Sequence, residues 1–440
     1  MKRKSLLFTL VLVILLMATS LSAMGKQASA LASDKLFYVP DLLAAEYAFD
    51  LIEPDATTVT DMPVAKGFWT DMVDTENVSQ SGEGVYVAVL DTGLLTLAPF
   101  LLSEANVAWD LGKGFSHDIY WDETIGDIVI SDLKDDRGFW TDLASGHGTH
   151  VASTIVGFNV NDAFWVDGVA PAATIIPVLV LDAWVIPSPY GDLTLSGGTD
   201  EMVSAGIYYV ADLAETLDGP VIINMSLGGP EPTQMIEDAI DYAIEKGVIV
   251  VASAGNEGAA GLGYPGGYPQ VINAGAAGWA SMFYYGWQGD VPEKLNTSDI
   301  LGNPFQIYLE DFSSRPNKDL GQKHQDLDVA APGAWVVGPY KSAFSSTVGY
   351  YYLSGTSMAA PHVTGISALV MQDHPELFQA DLEAILRNAA TGTPLPAADA
   401  IVAFPFEEPY YYISPWDGGD YGKGFLTADE AITVAGIKDK

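Results

Sequence analysis

Five short apolar runs, Val85–Leu90, Ile175–Leu181, Val221–Met225, Val248–Ala252 and Val271–Ala276, constrain this chain more than any other feature. None alternates cleanly between apolar and polar residues. Each therefore reads as a strand buried on both faces, as in a parallel sheet covered on both sides. Gly, Pro and Asp bound the runs, and helical patterns lie between them. In Glu231–Lys246 the residues Ile236, Ala239, Ile240, Ala243 and Ile244 recur at three- and four-residue steps, and Gly247 follows as a stop signal. Asp200–Thr216, Ser357–Asp373 and Leu377–Ala390 read as helices too. Strands alternating with helices predict an α/β fold: a doubly wound, mainly parallel β-sheet flanked by helices. No internal repeat or low-complexity linker divides the chain, which favours a single domain enlarged by loop insertions.

Composition narrows the function. Fifty-seven Asp and Glu against 19 Lys and Arg give a formal charge of −38, so the chain lacks the basic excess that a nucleic-acid backbone or an anionic membrane surface requires. The absence of Cys removes thiol nucleophiles, disulfide frameworks, thiolate zinc sites and iron–sulfur clusters. At the N-terminus, Lys2, Arg3 and Lys4 precede an apolar run from Leu6 to Met17 and then the small residues Ala18, Ser20, Ser22 and Ala23. That order is the signature of a secretory signal peptide. The run falls short of the roughly 20 residues that span a bilayer, which favours a removed signal over a retained anchor. Residues 1–30 are thus expected to hold the signal peptide, with cleavage points after Ala23 and after Ala30. The remainder is then secreted, with no membrane attachment.

Three Gly-flanked segments carry the chemistry. Asp91-Thr92-Gly93 follows the first apolar run directly, where ligands of open α/β sheets bind. Alone it could be a turn or half of an aspartic-protease dyad, but the second Asp-Thr-Gly or Asp-Ser-Gly of a dyad is missing. In Ser145-Gly146-His147-Gly148-Thr149-His150, glycines on both sides of His147 admit close approach of backbone and substrate. The three-residue spacing of His147 and His150 does not match the zincin helix, which needs four and an adjacent Glu, so His150 is expected to make a structural hydrogen bond. In Gly355-Thr356-Ser357-Met358-Ala359-Ala360-Pro361-His362, Ser357 opens a helix, where backbone N–H groups stabilise developing negative charge. Pro361 is read as lying within about the first turn, where its missing N–H costs nothing. Taken alone, Ser357 could equally be a simple cap.

Together the three segments resemble the subtilases, serine peptidases of the subtilisin family, whose chain order is Asp, His, Ser. Ile223-Asn224-Met225-Ser226-Leu227-Gly228-Gly229, Ala252-Ser253-Ala254-Gly255-Asn256-Glu257-Gly258, Gly168-Val169-Ala170-Pro171, Phe312-Ser313-Ser314 and Asp328–Gly333 match as well. The likeness runs from about residue 80 to the family's closing element at Gly422–Ala428. It implies a subtilisin-like peptidase domain over 81–440 and a secreted serine endopeptidase that acts through an acyl-enzyme. Ser357 would be the nucleophile, His147 the general base and Asp91 its orienting carboxylate. Asn256 would donate to the oxyanion beside the Ser357 N–H. A neutral amide fixed on a Gly-flanked turn suits that task on physical grounds as well, and such a donor is worth roughly 3–4 kcal/mol.

An extended peptide substrate would pair with Ser226, Leu227 and Gly228 by strand addition, and a second strand should lie near Leu195–Gly198. Ser253, Ala254 and Gly255 would line the pocket for the side chain before the cut. Glu257 stands either at the pocket's mouth, favouring basic residues, or as a solvated carboxylate without a role. Asn224 is expected to support the site structurally. The resemblance implies no cofactor for the chemistry and no catalytic metal. It admits a structural Ca²⁺ that oxygen-rich loops would suit, although no spacing identifies its ligands. The partner is a protein or peptide, and the expected state is a monomer. A rival reading, a catalytically silent binding protein on the same fold, is disfavoured because all four catalytic positions hold competent residues. An esterase elbow at Ser357 would need its acid and His downstream, where only His362 and His374 remain, on or at the end of the same helix.

The chain departs from the family at its start and in its loops. Only about sixty residues separate Ala30 from Asp91, too few for the propeptide domain and lead-in segment that the family commonly carries. Residues 31–80 are therefore expected to be an N-terminal arm or a vestigial propeptide, with Leu36–Ile52 either a helical remnant or an arm packed on the domain. An aromatic insertion over 278–308 carries Trp279, Phe283, Tyr284, Tyr285, Trp287, Phe305 and Tyr308, and Tyr410–Tyr412 with Trp416 form a second cluster. Both are expected to be local mini-cores, with a polymer-binding surface as the alternative.

Overall fold

The computed structural model describes residues 39–40, 44–50, 63–287, 307–395, 397–403 and 411–436. The expected signal segment lies outside them, as do Phe305 and Tyr410.

The predicted strands are present and form one sheet. Its centre runs in the order Ile272–Trp279, Ile249–Ser253, Val221–Met225, Tyr86–Asp91, Thr174–Leu179 and Lys113–Ser116, all parallel. Ile307–Leu309 and Lys134–Arg137 close the two edges antiparallel, and Val329–Pro332 adds a further parallel pairing to Ile272–Trp279. Alternate residues of each strand face opposite layers, as the two-residue period requires. Val87, Val89, Ile222, Ile249 and Val251 pack against the helices His147–Val156 and Thr356–Asp373. Ala88, Leu90, Ile223, Val250 and Ala252 pack against Asp200–Ala214 and Gln234–Glu245. The double winding read from the sequence is therefore the observed architecture.

This arrangement positions the site. Asp91 ends its strand, Ser226 follows the end of Val221–Met225, and Asn256 follows the end of Ile249–Ser253. Parallel strands put these carboxyl ends along one edge of the sheet.

One open alternative is decided and one expectation changes. Leu36–Ile52 holds no helix among the described residues: Val39–Pro40 and Ala44–Asp50 are strands. Ala44–Asp50 adds antiparallel to Gly349–Ser354, so unpaired edge backbone, rather than a helical face, is what this segment satisfies. Pro361 lies in the second turn of Thr356–Asp373, beyond the helix start where a missing N–H is free.

Apart from the exposed Tyr411, the aromatics named here form mini-cores. Trp279 is buried, Phe283 packs edge-on against Trp335, and Trp287 stacks with Trp69 and Phe164. Tyr308 and Tyr412 clasp Glu310. The Tyr308 hydroxyl lies 2.7 Å from Glu310 Oε1, and that of Tyr412 lies 3.0 Å from both carboxyl oxygens. This clasp docks the hairpin Ala398–Ala403 with Tyr411–Trp416 onto the sheet edge.

Burial, with a smaller push from Asp311, raises the Glu310 carboxyl to about 8. An unfolded chain would release that proton near 4.5. The native state thus binds the extra proton between these values, and its stabilising effect is lost as pH rises through about 8. Thermal melts should show stability falling from pH 6 to pH 9 in the wild type and a flatter profile in Glu310→Gln.

Candidate active site

Asp91 and His147 are both fully buried. The Asp91 carboxylate oxygens each lie 2.9 Å from His147 Nδ1, and Oδ1 also accepts the Thr92 N–H at 2.6 Å. The Thr92 hydroxyl accepts the Gly148 N–H at 3.0 Å, stitching the strand end to the first turn of His147–Val156. A Cβ at Gly148 would strike the Gly93 carbonyl and the Asp91 side chain, which is why this flank of His147 is glycine. A carboxylate at Nδ1 selects the tautomer with its proton there and leaves Nε2 basic. His147 Nε2 is enclosed and makes no hydrogen bond.

Ser357 is the second residue of Thr356–Asp373 and is buried. Its hydroxyl donates to the Ser226 carbonyl at 3.0 Å, while the Ser226 hydroxyl donates to the Ser357 carbonyl at 2.8 Å. Pro361 explains this exchange. In a regular helix the Ser357 carbonyl would accept the N–H of residue 361, which proline lacks. Ser226 takes up the freed acceptor. Asn224 Nδ2 then donates to the Ser226 hydroxyl at 3.0 Å, and Thr364 donates to Asn224 Oδ1 at 2.8 Å. Asn224 is thus a structural partner of the site.

Asn256 faces the same helix start. Its Oδ1 accepts the Thr356 N–H at 2.9 Å and the Thr356 hydroxyl at 3.1 Å, which commits that end of the amide and leaves Nδ2 as the available donor. The Thr356 hydroxyl also accepts the Gly255 N–H at 3.1 Å. From the other side, Ser314 donates its N–H to the Gly255 carbonyl, and its hydroxyl receives the Glu257 N–H and meets a Glu257 carboxylate oxygen at 3.0 Å. Gly255 adopts φ +103°, and a Cβ there would collide with Glu257 and Ser314. Glu257 is exposed, with one carboxylate oxygen held by Ser314. Thr356 and Ser314 carry this turn and had no assigned part in the sequence reading. Their positions inside two Gly-flanked motifs were the available signal.

Leu227 and Gly228 form a short strand with an antiparallel partner, Pro40 opposite Leu227 and Val39 opposite Gly228. Val39–Pro40 also lies against Leu193–Gly197, which overlaps the stretch where a second strand was expected. Ser253 is buried, and its hydroxyl reaches the Met225 and Leu227 carbonyls at 3.4 and 3.3 Å. Ala254 is buried with Leu262 and Leu327.

The other histidines of these motifs are structural. His150 bonds the Val336 carbonyl through Nε2 at 3.1 Å, and burial, then His147, push it down to about 3. His362 bonds the Met358 carbonyl of its own helix, and burial pushes it to about 4. Both are neutral at ordinary pH. Among the described residues, no group of three His, Asp or Glu could hold a metal ion.

The subtilase family model matches residues 82–406. M-protease of Shouchella clausii is 29% identical over 80% of this chain and 71% of its own length. Subtilisin E of Bacillus subtilis is 33% identical over 56% of this chain and 51% of its own length. Among solved structures, the S41 psychrophilic protease superposes with a TM-score of 0.55 at 26% identity, covering 83% of this chain and 99% of its own. Sphericase gives 0.54 at 25% identity, over 84% and 99%. The chain belongs to the subtilase family and is a serine-type endopeptidase, whose chemistry needs no cofactor.

Proposed function

We propose that this endopeptidase works through Asp91, His147 and Ser357, with Asn256 and the Ser357 N–H as the oxyanion hole. The observation that carries this reading is the buried Asp91–His147 hydrogen bond at 2.9 Å, with an unbonded, basic Nε2 on the far side of the ring. Rotation about the Cα–Cβ bond of Ser357 would exchange the Ser226 carbonyl for His147 Nε2. Ser357 Oγ then attacks the substrate carbonyl carbon as its proton passes to Nε2. The C–N bond breaks as His147 returns that proton to the leaving amine, and water, activated by the same nitrogen, hydrolyses the acyl-serine ester. Asn256 Nδ2, fixed through its own oxygen by Thr356, is held for the oxyanion before charge develops.

Substrate binds as an added strand on Ser226, Leu227 and Gly228, with Ser253, Ala254 and Gly255 lining the first pocket. The pairing of Val39–Pro40 with Leu227–Gly228 supports this, because the protein's own arm takes up the slot a substrate strand would use. Residues 31–80 are that arm, and 81–440 are the peptidase domain. The protein is secreted through removal of residues 1–30 and acts as a monomer on protein or peptide substrates.

A fluorophosphonate probe should label the wild type on Ser357 and leave Ser357→Ala unlabelled. Absence of labelling in folded wild type would overturn the catalytic assignment. The arm also fixes a specificity rule. Pro40 has no N–H, so the mutual hydrogen bonds of this pair run through Val39 and Gly228. The Ser226 carbonyl lies beside the Ser357 hydroxyl, so a residue opposite Ser226 adjoins the cut and one opposite Gly228 is third before it. In a peptide library, proline third before the cut should lower kcat/KM roughly tenfold, the worth of one lost hydrogen bond. Proline second before the cut should be tolerated.

A further inference from the structure

His147 opens its helix, so its ring is aimed by the backbone just before it. That backbone, residues 143–146, is clamped by one hairpin. Lys341 is only 5% exposed, and its ammonium donates to the Ala144 carbonyl at 2.7 Å. The Lys341 carbonyl accepts the Gly146 N–H at 2.9 Å, and the Phe344 N–H donates to the Leu143 carbonyl at 2.7 Å. Tyr340, also buried, has its hydroxyl beside Ser145 and Ser342. Residues 143, 144 and 146 are thus held by hydrogen bonds from Lys341 and Phe344.

The same hairpin leads to the nucleophile. Val336–Tyr340 pairs antiparallel with Gly349–Ser354, Val336 opposite Leu353 and Tyr340 opposite Gly349, and the second strand runs directly into Gly355-Thr356-Ser357. The first strand lies tightly on the helix of His147. A Cβ at Gly338 would come within 2.7 Å of the His150 ring and 2.8 Å of the Ser153 hydroxyl. Val336 accepts from His150, the residue one turn beyond His147. One short hairpin therefore touches the histidine's flank at one end and delivers the serine at the other.

We propose that Lys341 is a positioning residue for the reaction: its buried ammonium, fixed to the Ala144 carbonyl, sets the start of the His147 helix relative to Ser357. A buried lysine is costly to keep charged, and burial lowers its proton affinity while the nearby Asp142 raises it. A lysine kept at that cost on the nucleophile's own hairpin is accounted for by what it holds. Its ammonium is bonded to the backbone leading into His147, so its effect reaches the chemistry through His147. A displacement of the order of 1 Å between base and nucleophile costs roughly 100-fold in rate.

This inference rests on the catalytic assignment of His147 and Ser357, and one experiment separates the two. Lys341→Met keeps the stem and removes the donor; Lys341→Arg restores a donor; Tyr340→Phe removes the hydroxyl beside Ser145 and keeps the ring. Each is measured for kcat, KM, fluorophosphonate labelling rate and melting temperature. Lys341→Met should lose roughly 10- to 100-fold in kcat and in labelling rate. Its KM should stay within about twofold, and arginine should recover part of the loss. Tyr340→Phe should show the same pattern more weakly, and it carries the test if Lys341→Met does not fold. Unchanged kcat and labelling in these variants, or a loss that disappears when the assay temperature is lowered to match the change in stability, would overturn the positioning role. Failure of the wild type itself to label would instead remove the catalytic assignment beneath it.

Discussion

A carboxylate and an imidazole buried from solvent must satisfy each other, and much of this fold is arranged so that Asp91 and His147 do. Each is fully buried, and an unpaired charge or polar group there would cost several kcal/mol. The pair forms because a parallel strand delivers Asp91 to the sheet edge and a helix starts at His147 directly above it. Thr92 locks the two elements together through Gly148. The helix stays in place because the sheet face beneath it is apolar at every second residue and because the hairpin 336–354 lies along it.

A second economy surrounds Ser357. Proline four residues after Ser357 removes one backbone bond, and the freed Ser357 carbonyl becomes the anchor for Ser226, which in turn receives the Ser357 hydroxyl on its own carbonyl. Ser226, Ser357 and the Asn224–Thr364 pair are thereby joined in one polar network inside an otherwise apolar layer. Partly satisfied networks of this kind are costly, and fully satisfied ones fix a single geometry. Thr356 plays the corresponding part for Asn256, since by occupying the amide oxygen it leaves only the nitrogen to serve an oxyanion.

The sheet was legible in the sequence because strands buried on both faces are written as short, continuous apolar runs. The runs beginning at Val85, Val221 and Val248 each match a central strand to within a residue or two. The site motifs were legible because each is Gly-flanked at a strand end or helix start. The rest was hidden for physical reasons. Edge pairing depends on backbone rather than side-chain pattern, so Ala44–Asp50 could not be told from a helix. The consequence of Pro361 depends on where the helix begins, which sequence locates only to within a turn. Lys341 and Glu310 look like surface charges in a chain of −38, and only tertiary packing makes them buried.

The most direct measurement is the second-order rate of fluorophosphonate labelling in Asp91→Asn, with the melting temperature followed alongside. If the Asp91–His147 bond sets the tautomer and orientation that make Nε2 basic, the labelling rate falls by roughly 10⁴-fold, the loss typical of this change in serine-protease triads, while the protein stays folded. A folded Asp91→Asn protein that labels at the wild-type rate would contradict the central role of this hydrogen bond.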